Sequence, residues 1–140
     1  MPVTAIVAAI LVPVFAQARS KARETASLSN LKQVDMGLMM YVQDNDQRFP
    51  PMDDPKSVKA LLLPYTRNDQ IFYEPSTHEM YRVNRALSRK TYRDIAAPAE
   101  TVAFYEPTPA SSGWRAVVFA DGHAKLVTAG QWERLKAAVQ

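Results

Sequence analysis

The stretch that most constrains this chain is Met1–Gln43. Beyond Pro2 it holds one proline, Pro13, and one glycine, Gly37. Its second half is rich in Ala, Leu, Met, Gln, Lys and Arg, all good helix formers. One helix over the whole stretch would be about 60 Å long at ~1.5 Å per residue. A domain of this size cannot cover such a helix along its full length. Charge divides it: Met1 through Ala18 carries none, and the chain turns amphipathic at Arg19. The amphipathic half can pack on a globular head. The apolar half must find another environment, either a bilayer or a bundle of identical helices.

In the amphipathic half Leu28, Leu31, Val34, Leu38, Tyr41 and Val42 share one stripe at helical period, the pattern of helix-to-head packing. Arg19, Lys21, Arg23, Glu24, Asn30, Lys32, Gln33 and Asp35 read as its polar surroundings. In the first half Ile6, Val7, Ile10, Leu11, Val14 and Phe15 are apolar on every side, as in a segment buried all round or lying in membrane. Its length is at the short end of the roughly 17–25 residues that span a bilayer. A cleaved signal peptide fits less well, because the basic flank follows the apolar run. Pro13 has no N–H and clashes with the carbonyl four residues back. A kink or an unwound turn is therefore expected around Ala9–Pro13.

The rest of the chain reads as one domain. At 140 residues a single core is expected. The net charge of +3 is modest, with acids interspersed among the bases, which argues against a dedicated nucleic-acid protein. There is no cysteine, so the fold must hold without a disulfide. Asp44–Pro55, with four aspartates, lacks the turn glycine and closing glutamate of an EF-hand loop and reads as a solvated, helix-terminating loop rather than a calcium site. Pro55–Leu63 reads as a short helix stopped at Pro64, with Leu61 and Leu62 facing the long helix. Gln70–Tyr73 and Met80–Asn84 read as short strands.

Arg82, Arg85, Arg89, Lys90 and Arg93 form the most basic window, with Tyr81 and Tyr92 interleaved. The sharper reading is a patch for nucleic acid or an acidic glycan with aromatics to stack on. A solvated strand-and-loop face is the favoured one. Thr101–Tyr105 is a strand. Trp114–Ala120 and His123–Val127 form a hairpin across Asp121-Gly122, whose residue types suit a type I′ turn. Ala129–Val139 closes the chain as a helix with Trp132, Leu135 and Val139 on one face.

Chemistry is sparse. The only histidines are His78 and His123, neither with a partner at metal-ligand spacing. No nucleophile elbow, phosphate loop or paired-carboxylate motif is present. Asp121 and His123 read as turn and strand-edge residues. Neither an enzyme nor a cofactor is expected.

The run Ala8-Ala9-Ile10-Leu11-Val12-Pro13-Val14-Phe15-Ala16-Gln17-Ala18-Arg19, followed by Lys21-Ala22-Arg23 and Leu28-Ser29-Asn30-Leu31-Lys32-Gln33, resembles type IV pilin-like and pseudopilin-like proteins with a prepilin-type methylation helix. The likeness continues in Tyr41-Val42-Gln43-Asp44, Arg48-Phe49-Pro50, Pro98-Ala99-Glu100-Thr101-Val102 and Phe119-Ala120-Asp121-Gly122-His123-Ala124-Lys125. It implies an α+β, pilin-like fold: a long N-terminal α-helix, kinked at Pro13, packed on a small antiparallel sheet with a short C-terminal helix. Residues 1–20 would be the protruding half and 21–140 the head. The resemblance also implies a role as a filament subunit. Its expected partners are further copies of itself, the inner membrane before assembly, and pilus or secretion machinery. Its expected location is the cell envelope, then a periplasmic or extracellular filament. The Gly-ended leader and Phe-Thr-Leu-Ile-Glu-like start of family members have no counterpart here, nor do the cysteines that relatives carry near Ser27 and Glu74. The rival readings are a membrane-anchored binding module for glycan or DNA, and an envelope enzyme using Asp121 and His123.

Overall fold

The computed structural model describes residues 2–140, so the expectation for Met1 lies outside it. Helix α1 spans Pro2–Asp44 without interruption. Of the kink or unwound turn expected around Ala9–Pro13, the unwound turn is absent. A proline inside a helix removes one rung of the hydrogen-bond ladder, and here the rungs on either side keep residues 9–13 helical. The α1 stripe is realised: Leu31, Val34, Leu38 and Val42 are buried, with Leu28 and Tyr41 packed at the margin.

Helix α2, Pro55–Thr66, begins at Asp54, whose side chain accepts from the Lys56 and Ser57 amides as an N-cap. It runs past Pro64 rather than stopping there, and ends at Arg67 in the left-handed conformation. By that point the proline lies in the last turn, where few bonds remain to break. Leu62 and Val58 are its buried residues, whereas Leu61, expected to pack, is exposed.

Four strands, β1 (Arg82–Val83), β2 (Val102–Tyr105), β3 (Arg115–Phe119) and β4 (Ala124–Val127), form an antiparallel sheet in chain order. A bulge between Val102 and Phe104 turns Ala103 and Phe104 to the same side. Ala103, Phe104, Ala116 and Val118 share one core with the buried residues of α1 and α2. Val102, Val117, Phe119 and Val127 make a second, smaller cluster with Trp132, Leu135 and Val139. The last three lie on or just after α3 (Ala129–Lys136), which starts in a Thr128–Gln131 capping box and ends earlier than expected. The layers are therefore helices, sheet, helix.

Two local readings are corrected. Gln70–Phe72 is a 3-10 turn and not a strand; only Tyr73 bridges to Met80. The acidic loop is not simply solvated, because Phe49 and Met52 within it are buried. Its aspartates serve as local partners: Asp54 caps α2, Asp44 accepts from the Tyr65 hydroxyl, and Asp53 faces Arg89 at 3.8 Å.

Helices α1 and α2 approach closely at Gly37, where an added Cβ would stand 2.5 Å from the Thr66 methyl. Alanine normally favours a helix over glycine by about 1 kcal/mol, but overpacking costs about 1–3 kcal/mol. Gly37→Ala is expected to lower the melting temperature, and Gly37→Ala with Thr66→Ser to recover most of the loss. A Gly37→Ala protein more stable than the parent would contradict this.

Candidate assembly surface and buried carboxylates

From Val3 to Arg19 every side chain of α1 is exposed. Ile6, Ile10, Val14 and Phe15 expose 60%, 61%, 56% and 64% of their surface, and Val7 and Leu11 are little more covered. Pro13 lies within this bare rod. This helix is long and apolar enough to cross a membrane, and its apolar window is 0% buried. Coverage by the head begins at Ser20 and Glu24, which are half-buried, and becomes complete at Ser27.

At that boundary sits a polar knot. The Ser27 hydroxyl donates to Glu106 Oε1 at 2.9 Å and lies 2.8 Å from the Tyr81 hydroxyl, while the Ala116 amide donates to the same carboxylate oxygen. Burial pushes the Glu106 carboxyl above its ordinary range, against the donations from Ser27 and Ala116. Burial likewise acts on Glu74, but donations from Ser76 and Thr77 outweigh it and hold that carboxyl low.

Asp35 is the larger departure from the sequence reading. Placed among the polar surroundings of α1, it is instead buried, with 1% of its surface exposed. Its Oδ1 has no hydrogen-bond partner. Its Oδ2 lies 3.2 Å from where a Cβ on Gly122 would be, directly beneath the β3–β4 turn. Burial, with the Asp121 charge adding to it, pushes the Asp35 carboxyl up to about 8. Spacing could have revealed this, because 31, 35, 38 and 42 share one helical face.

The turn above it differs from the type I′ reading. The Gly122 amide donates to the Phe119 carbonyl and Phe119 and His123 bond back across the loop, so the loop residues are Ala120, Asp121 and Gly122. Of Asp121 and Gly122, only Gly122 has positive φ, +102°. This is the three-residue hairpin whose last position calls for glycine. Asp121 Oδ1 accepts from the His123 amide and from His123 Nδ1, the latter at 2.5 Å.

Arg82, Arg85, Arg89, Lys90 and Arg93 are all exposed, but Tyr81 is buried and Tyr92 stacks on buried Phe49. Tyr81 is therefore withdrawn from any stacking surface, and Tyr92 has one ring face committed to Phe49. Compared with protein-family models, curated proteins and solved structures, the chain matches none.

Proposed function

We propose that this protein is a structural subunit, pilin-like or pseudopilin-like, of a bacterial type IV-like filament, periplasmic or extracellular. Its α1 is held in the inner membrane first and then among the α1 helices of neighbouring copies. The observation that carries this reading is the wholly exposed apolar half of a helix whose other half is clamped to the head. Transfer of that surface from water is favourable by about 25 cal/mol per Å² of apolar area, and in water Ile6, Ile10, Val14 and Phe15 have nothing to cover them. The resemblance of Ala8–Arg19 and of the Asp-Gly-His hairpin to pilin-like proteins supports the choice of a bundle as the final environment.

Residues 3–18 bury no side chain in the head, so their removal takes nothing from the core. A chain beginning at Arg19 is expected to be a folded, soluble monomer, whereas the full chain polymerises or requires detergent. Ile10→Lys in the full chain is expected to abolish polymer while leaving the melt of the head unchanged. A full chain that is monomeric in plain buffer would sink the proposal. The same exposed helix also suits a single-span anchor carrying a glycan- or DNA-binding head. Electron micrographs separate the two, since only a filament subunit gives helical order.

A further inference from the structure

On the sheet face opposite α1, the β3–β4 turn and α3 enclose a groove of about 210 Å³. Its polar rim comes from separate elements: His123 from the turn, Lys125 from β4, Gln131 and Arg134 from α3, and Glu100 from the segment before β2. Val127 and Leu135 contribute apolar floor.

Other cations of this face are already occupied. Lys136 pairs with Glu133 at 3.1 Å, and the Arg115 guanidinium lies over the Trp132 ring at 4.5 Å. Lys125 and Arg134 make no salt bridge among the described residues, whose ion pairs involve other side chains. His123 is held in place twice. Its Nδ1 donates to Asp121, and its ring lies flat on Phe119, 4.3 Å between centroids and 10° between planes. One ring face and Nε2 are left unused. Gln131 accepts from the Thr128 amide through Oε1, which leaves its amide nitrogen free to donate. Glu100 adds an acceptor.

We propose that this groove binds an acidic sugar unit, with a ring carboxylate between Lys125 and Arg134. The sugar hydroxyls meet Gln131 and Glu100, and the apolar ring face lies against the uncovered face of the His123 imidazole. A guanidinium offers a planar fork that matches a carboxylate. The Glu100 carboxylate in the same groove accepts from sugar hydroxyls, a contact that a bare inorganic anion cannot make. The apolar floor likewise gives a small symmetrical anion no partner. The groove belongs to the head, so the inference stands apart from whether the chain polymerises.

The test uses the full chain in detergent micelles and follows the imidazole proton resonances during titration with glucuronate. His78 serves as the internal reference. The expected result is a saturable shift of His123, none of His78, and no response to glucose. Lys125→Gln and Arg134→Gln, both at exposed positions, are each expected to weaken binding about tenfold, or about 1.4 kcal/mol, without moving the thermal melt. A linear, non-saturating shift would overturn the proposal. So would inorganic phosphate acting as strongly as glucuronate at matched ionic strength, or unchanged binding in both variants.

Discussion

Asp35→Asn is expected to stabilise the protein at neutral pH and to flatten its stability between pH 4 and 8. The Asp35 carboxyl is raised from 3.8 to about 8 in the folded state. Between those values the folded chain holds a proton that the unfolded chain has lost. Stability therefore falls as pH rises through this window, by about 1.4 kcal/mol per unit at most, and levels off above pH 8. Asparagine keeps the shape and removes the titration. Its benefit should be near zero at pH 4 and about 2–4 kcal/mol at pH 7. Denaturant melts of parent and variant across this range provide the measurement. Parallel pH profiles would mean that Asp35 is ionised in the folded protein, paired with something that relieves it.

Gly122→Val should act at the same place from the other side. A β-branched residue at φ +102° is strained by about 1–3 kcal/mol. Its Cβ would also press on Asp35 Oδ2 at 3.2 Å. The register Ala116–Leu126, Val117–Lys125 and Val118–Ala124 would lose its pinning turn. Gly122→Ala measured alone and in an Asp35→Ala background separates the two contributions, because truncating Asp35 removes the contact and leaves the backbone strain. A coupling of about 1 kcal/mol is expected between residues in contact; additivity would show that Asp35 and the turn are independent. His123→Ala, by contrast, should leave the melt of the head nearly unchanged, since the His123 side chain is itself 45% exposed and only caps the turn from outside.

The long helix, its stripe, the hairpin and the closing helix were legible because each rests on periodicity or a turn dipeptide, which are local signals. Asp35 departs from the polar reading for a related reason: its residue type points to solvent, whereas Leu31, Leu38 and Val42 mark its face as buried. Phe49 and Met52 were hidden by surrounding prolines and aspartates, whose turn chemistry says nothing of where the loop folds back. Here it lies against the 87–92 segment, through Phe49 to Lys90 and Tyr92 to Gln47. Gln70–Phe72 shows the limit of short apolar runs, which serve a 3-10 turn as well as a strand. The groove beside α3 could not be read at all, because Glu100, His123, Lys125 and Arg134 meet only through sheet pairing and helix docking.

The clamped and bare parts of α1 form a lever. Its fulcrum is the Ser27–Tyr81–Glu106 knot. Residues 27–44 make a gripped arm of about 27 Å, and residues 3–26 reach about 36 Å beyond it at ~1.5 Å per residue, bare from Val3 to Arg19. No glycine or unwound turn interrupts the outer arm, and Pro13 removes a single rung of its ladder. A tilt of about 5° at the head would swing the far tip by about 3 Å, more than half a helical turn. Small rotations of a head are thus magnified at the rod's far end.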